Sequence, residues 1–233
     1  MWAGRAAAQT SIPQSRRSNA AIKRRKASLI RDMSAKGFDY GAQVFLRIVK
    51  SAQGKSSGAY LEAFIEKEGL FKPYKRWPVC YYSGELGPKV KQGDGQSPEG
   101  FYWVPPRALN PFSSYHLSFN LGYPNAYDRY HGRTGNYLMV HGSCVSIGCY
   151  AMGDDAIEEI FTLFVGAYEA GQRGVRVHIF PFEMDGNLPT AQRRSSHAAF
   201  WKNLKQGWDH FERYARPPNV EVVGGQYVFD NSF

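Results

Sequence analysis

A thiol and an imidazole stand eight positions apart in the stretch YLMVHGSCVSIGCYAM, residues 137–152. His141 closes a short apolar run, and Cys149 follows a turn of small residues. A cysteine reacts as its thiolate, and a histidine within hydrogen-bond reach can take the thiol proton and support attack on an acyl carbon at neutral pH. One strand end and one tight loop suffice to close a gap of this length. Gly148, directly before the cysteine, has no Cβ, so a substrate can approach the backbone there. Its permissive φ would let the amides of Gly148 and Cys149 point at a developing oxyanion. The competing reading of the same residues is a packed thiol and a hydrogen-bonded structural histidine.

The elements that must position this pair are read from periodicity. Residues 44–49 and 60–65 form strands, the second with Leu61, Ala63 and Ile65 alternating against Tyr60, Glu62 and Phe64. Between them AQGKSSGA is turn-rich and flexible. Residues 70–82 continue as strand, with Pro73 and Pro78 at an edge or bulge. A Gly- and Pro-rich loop follows over 84–100. Residues 109–135 are long, aromatic and polar, and are read as the wall or lid of a substrate cleft. Tyr123, Asn125, Tyr127 and His131 are its binding candidates, and the forked guanidinium groups of Arg129 and Arg133 suit a substrate carboxylate. The alternative for the arginines is pairing with Asp128. Asp154-Asp155 can cap a helix reaching about residue 170, with Ile157, Ile160, Phe161 and Phe164 as its apolar stripe. Residues 175–182 form a buried strand in which His178 is structural. A last helix over 195–214 ends at Pro217-Pro218, and residues 220–223 add an edge strand. Short strands punctuated by Gly-rich turns argue for a β-sandwich.

The net charge of +9 invites a nucleic-acid reading, but its distribution excludes one. Residues 1–36 hold nine Lys or Arg against Asp32 alone, which leaves the rest of the chain close to neutral; a nucleic-acid binder carries its basic face on the fold itself. Residues 1–20 read as disordered, and residues 19–36 as a basic helix closed by Gly37. The expected organisation is a basic N-terminal arm over 1–37, disordered or helical, a single domain over 38–222, and a C-terminal tail over 223–233. No apolar run is long enough to span a membrane, and no apolar signal core follows Met1 or Arg16-Arg17. Three cysteines leave at least one thiol free. Cys80 and Cys144 are candidate partners for a disulfide, although burial as small apolar side chains is the preferred expectation. Zinc-ligand spacing and cofactor fingerprints are absent from the sequence, so neither metal nor cofactor is expected.

His-Gly, a short variable loop, then SxGC with Tyr150 and Met152 behind it resembles the signature of the L,D-transpeptidase catalytic domain (YkuD/ErfK) family, closest to its YafK-type subgroup. VFLRIVK (44–50), SGELGPKVKQGDGQSPEGFYWV (83–104), YHLSFNLGYPNAYDRYHGRTG (115–135) and GVRVHIFPF (174–182) resemble further YafK-type segments in the same order. Within them SPEGFY is similar to the family's TPxGxF turn, whose role there is structural. The resemblance implies a mainly β fold with α, a sandwich with one helix packed on it and a C-terminal helix covering an edge. It implies Cys149 as nucleophile, His141 as base oriented by the carbonyl of Gly142 or Ser143, and Ser146 pinning the loop. The implied substrate is a peptidoglycan stem peptide at meso-diaminopimelate, with a wall-anchored lipoprotein as a further partner, in the periplasm or cell envelope. Two positions depart from the commoner family pattern: Ile147 stands where His or Arg is usual, and Ala151 where Arg is usual. The alternatives are a catalytically silent cell-wall-binding module of the same fold, or a cysteine peptidase acting on ordinary proteins.

Overall fold

The computed structural model describes residues 11–51 and 58–230, so residues 1–10 of the expected disordered arm and most of AQGKSSGA lie outside it. The fold is mainly β with α. One sheet joins β1 (Val44–Ser51), β2 (Tyr60–Lys67), β3 (Leu70–Pro78), β5 (Gly100–Val104) and β10 (Val175–Phe182) in the order β3-β2-β1-β10-β5. A second joins β4 (Tyr81–Tyr82), β6 (Leu109–Asn110), β7 (Ser118–Asn120), β8 (Met139–His141) and β9 (Tyr150–Ala151) in the order β4-β9-β8-β7-β6. Both sheets are mixed, with β1 parallel to β10 and β8 parallel to β9. The helices are α1 (Arg16–Ala35), α2 (Ala126–Tyr130), α3 (Asp154–Glu169), α4 (Thr190–Arg193) and α5 (Ala198–Tyr214), and β11 (Asn219–Val223) pairs with β12 (Gln226–Asp230).

The first sheet is the central layer. Leu46, Ile48, Val177 and Ile179 point to one side and pack with Phe119, Val140 and Tyr150 of the second sheet and Ile160 and Phe164 of α3. Val49, Phe180 and Phe182 point to the other and meet Phe200, Trp201, Leu204 and Trp208 of α5. The terminal helix therefore covers a face, not the expected edge. Because the sheet is covered on both sides, residues 60–65 are buried throughout and do not alternate in and out. β3 lies at the sheet edge, and the register shift opposite Ala63 and Phe64 falls beside Pro73, where a proline is tolerated. Instead of an edge strand plus tail, residues 219–230 form a separate two-stranded hairpin.

Apolar contacts and charge together place α1. The helix starts at Arg16, earlier than the sequence suggests, behind a Ser15–Ser18 capping box. Ala21, Leu29 and Met33 enter the main core, and Arg24 and Arg25 pair with Glu158 of α3. The sparse apolar positions sufficed because these ion pairs complete the contact, so this segment is packed against the fold and is not a solvated tail. Burial would raise the Glu158 pKa, but hydrogen bonds from Arg24, His116 and Arg25 outweigh it and hold the carboxyl at about 2. A carboxyl depressed in the folded state contributes stability that is present above its unfolded pKa and is lost as pH falls toward its folded one. Acidification from about pH 4.5 to about 2 should therefore loosen α1 before the sheets, read as faster amide hydrogen exchange in residues 16–35 than in β1 and β10. Equal acceleration in all three would contradict this.

Candidate active site

The parallel pairing of β8 with β9 brings the two reactive residues together. Val140 pairs with Tyr150 and His141 with Ala151, and the Val140 and Tyr150 side chains are fully buried in the main core. Alternation along a strand then sends Met139, His141 and, one residue ahead of β9, Cys149 to the opposite face. The thiol and the imidazole are diagonal neighbours on that face. The Met139 amide donates to Cys149 Sγ at 3.4 Å, and the thiol reaches the Tyr137 carbonyl at 3.7 Å. Among the described residues Cys149 is the free cysteine, and it is partly exposed.

His141 is 2% exposed, and its ring stacks on Tyr115 with centroids 4.7 Å apart. Nδ1 lies 2.5 Å from the Gly142 carbonyl oxygen. A carbonyl only accepts, so Nδ1 carries the proton and Nε2 keeps its lone pair for an acid proton. Gly142 is required by close approach, since a Cβ there would lie 2.6 Å from Asp154 Oδ1 and 2.8 Å from the Tyr115 carbonyl. Asp154 does not cap α3 as expected; the cap position is Gly153 without a side-chain bond, and Asp154 Oδ1 accepts from the Ser143 amide. It fixes the exit of the His-Gly turn instead.

Ser146 and Ser97 hold the cysteine. Ser146 Oγ accepts from the Gly148 amide at 3.0 Å and donates to the Cys149 carbonyl at 2.8 Å, while Ser97 Oγ donates to the same carbonyl at 3.0 Å. The Gly148 amide is thus already engaged, which corrects its expected place in an oxyanion hole and leaves the Cys149 amide as the remaining candidate there. Gly148 itself sits at φ +150 with Leu138 3.2 Å from where a Cβ would be, so glycine is needed for conformation and space. Sequence reasoning missed Ser97, Tyr115, Asp154 and Lys89. The SPEGFY turn was the signal that could have found Ser97.

Burial raises the Cys149 pKa, and only in part do the Met139 hydrogen bond and the charge of Lys89 pull it back. Burial also lowers the His141 pKa, against the Gly142 hydrogen bond. Both shifts disfavour charge, and so favour a neutral thiol with a neutral imidazole over the thiolate expected from sequence. Alkylation of Cys149 by iodoacetamide should accordingly keep rising with pH through the alkaline range. A rate that levels off below neutrality would reveal a resting ion pair.

Cys144, on the same loop, is bonded to Cys80, which overturns the preferred expectation that both are buried thiols; both are in fact exposed. The Cys80 amide donates to the Ala151 carbonyl, so the bridge ties the edge of the second sheet to the loop between His141 and Cys149. Closing a loop of 64 residues removes unfolded-state entropy worth about 2–4 kcal/mol. Replacing both cysteines by serine should lower the urea midpoint by a corresponding amount; an unchanged midpoint would contradict this.

Residues 109–135, read as wall or lid, meet the site through Tyr115 on His141 and are otherwise folded into the body. They contain β6, β7 and α2, and the proposed binding side chains are committed to packing. Arg133 donates to the buried Asp128 at 2.8 Å beside the rings of Tyr127 and Phe200. Asn125 caps α2 and donates to the Phe101 carbonyl and Tyr227 hydroxyl, Tyr127 stacks on Tyr227, and His131 meets the Gly225 carbonyl. Tyr123 is buried with its hydroxyl on the Lys89 carbonyl, and Arg129, though exposed, bonds the Pro124 carbonyl. None of the six has a hydrogen bond or ring contact with Cys149 or His141. The large apolar side chains exposed along the segment that carries the thiol are instead Tyr137, Val145 and Ile147. Ala151 is fully buried beside His141, so an arginine at that place would have no room in this packing.

No protein-family model matches the sequence. Over 188 residues the chain is 44% identical to "Putative L,D-transpeptidase YafK" of Escherichia coli K12, covering 81% of this chain and 74% of the relative, and equally to its counterpart from strain O157:H7. Among solved structures it is similar to the helical cell shape determining protein Pgp2 (K307A mutant) of Campylobacter jejuni, at 20% identity and a TM-score of 0.47 over 84% of this chain and 66% of that one. It is also similar to Bd1075 of Bdellovibrio bacteriovorus, at 21% identity and a TM-score of 0.41 over 74% and 61%.

Proposed function

Because the chain belongs to the family of the L,D-transpeptidase-type protein YafK, we propose that it is a cysteine-dependent acyltransferase or hydrolase of the cell envelope. Its substrate is the peptidoglycan stem peptide, opened at the carbonyl joining an L-configured centre to a D-amino acid. The observation that carries this reading is the pairing of a free, partly exposed thiol with a buried imidazole on one face of β8–β9, the Nδ1 proton of the imidazole being fixed by the Gly142 carbonyl.

The first half-reaction follows from that arrangement. His141 Nε2 takes the proton of Cys149 Sγ as sulfur attacks the stem carbonyl. The oxyanion forms against the Cys149 amide, the bond to the leaving amine breaks, and the amine takes the proton from His141. A thioester remains on Cys149. An incoming amine or water gives a proton to Nε2, attacks the thioester, and releases the thiol. Because the resting pair is neutral, thiolate forms only as attack proceeds, and no charge has to be held in the buried site beforehand. Transfer and hydrolysis share the thioester, and a stem peptide whose diaminopimelate carbonyl is joined to an amine of a wall-anchored lipoprotein is a second acyl donor to test, the lipoprotein leaving as the amine.

Incubation of the protein with tetrapeptide muropeptides, with and without such a lipoprotein peptide, followed by mass spectrometry of products, tests this reading. Tripeptide or crosslinked product supports it. Absence of product with retained binding would favour the wall-binding module, and cleavage of all-L peptides would favour an ordinary peptidase.

A further inference from the structure

Arg176 and His178 stand two residues apart on β10 and point to the α5 side of the central sheet, away from β8–β9 and Cys149. The Arg176 guanidinium is half-buried, bonds Asn219 Oδ1 at 2.7 Å and lies over the Trp103 ring at 5.5 Å; no carboxylate pairs with it among the described residues. His178 is 1% exposed, caged edge-on by Phe45 and Phe101, and its Nδ1 has no hydrogen-bond partner among the described residues. A half-buried cation without an anion and a buried imidazole nitrogen without a partner each cost free energy, and two together on one strand face call for an explanation. Burial, and the charges of Arg176, Arg47 and His210 after it, push the His178 pKa well below the ordinary histidine value.

Both residues line one cavity of about 450 Å³ between β5, β10 and the β11–β12 hairpin, and Arg176 with Trp103 also lines a neighbouring cavity of about 360 Å³. Arg129 lines the larger cavity too, and its one carboxylate, Glu221, is exposed to solvent. The aromatic wall is held by close approach. Gly174 lies under the half-exposed Trp103 indole so tightly that a Cβ would come within 2.4 Å of it. The cavity thus combines positive charge, an orphaned imidazole and a fixed ring face.

We infer that this cavity is a second binding site, separate from Cys149, for an oxyanion carried on a small ligand, a carboxylate or a phosphate. The oxyanion docks on Arg176, completes the hydrogen bonding of His178, and leaves the rest of the ligand against Trp103. Charge-assisted bonds to a guanidinium in a partly desolvated site are the strong kind, and the anion would offset the cost of burying Arg176 and His178.

The test uses the whole protein and three probes, N-acetylmuramic acid, inorganic phosphate and the uncharged N-acetylglucosamine, followed through the His178 imidazole resonances. At least one anion should shift them saturably in the wild type and equally in Cys149→Ala, while N-acetylglucosamine should not. Muramic acid alone points to a carboxylate ligand, and phosphate alone to a phosphorylated one. Arg176→Met and Arg176→Gln should weaken binding at least about tenfold and melt no lower than the wild type, since they remove an uncompensated charge. No saturable shift with either anion, equal response to the uncharged sugar, retained binding in the variants, or a clear loss of stability in both variants would each overturn the inference. Because Cys149→Ala is expected to bind normally, failure here is distinguishable from failure of the proposed acyl transfer.

Discussion

Cys149→Ala should abolish thioester formation and lower turnover of tetrapeptide muropeptides by about 10⁴-fold or more, the scale at which removing a nucleophile leaves only binding and oxyanion contributions. The expectation is clean because the sulfur contributes little to packing. It is partly exposed, and its polar contacts are the Met139 amide at 3.4 Å and the Tyr137 carbonyl at 3.7 Å. The variant should therefore melt close to the wild type while the mass of the acyl-enzyme disappears from intact-protein spectra. His141→Gln should also lose most turnover, yet retain slow alkylation of Cys149 at high pH, where hydroxide replaces the base. Residual turnover within tenfold of wild type in Cys149→Ala would end the mechanism.

Glu99→Gln should cost about 3–5 kcal/mol of folding free energy, because it leaves the Lys50 ammonium buried without its carboxylate. Both side chains are fully buried, with Lys50 Nζ 3.1 Å from Glu99 Oε1 and further donations to the carbonyls of Glu85, Gly87 and Ser97. Glu99 also accepts from the Gly87 amide and from Trp201 Nε1 of α5. This one ion pair organises the loop over residues 85–99 from inside the fold, and Ser97 carries the constraint to the Cys149 carbonyl. Urea denaturation at neutral pH should show the loss as a lower midpoint at unchanged slope, and the surviving folded protein should turn over more slowly. A loss under about 1 kcal/mol would mean that Lys50 finds other compensation.

The sequence made the scaffold legible where one periodicity dominated. β1, β3, α3 and α5 were placed within a few residues, and the strand–turn containing His141 and Cys149 stood out because two reactive types shared one short segment. It failed where burial was achieved by polar contacts. Residues 109–135 looked like a binding loop because Arg133, Asp128, Asn125 and Tyr127 are hydrogen-bonding types, but those groups satisfy one another against the hairpin. The same blind spot hid the docking of α1, a helix the sequence does indicate, because that docking adds ion pairs with Glu158 to its few apolar positions. Lys89 acts from a distant loop with no motif to mark it, whereas Ser97 stands in the SPEGFY turn that could have pointed to it.

The bond between Cys80 and Cys144 also decides the fate of the third sulfur. Cys144 lies five residues from Cys149 in the same turn, and as a free thiol it would be the group best placed to capture its neighbour by oxidation. Locking it to the sheet edge takes that competitor away. Disulfides persist in oxidising compartments and are rare where glutathione keeps thiols reduced. With Cys80 and Cys144 joined, Cys149 has no thiol left in its own chain to pair with.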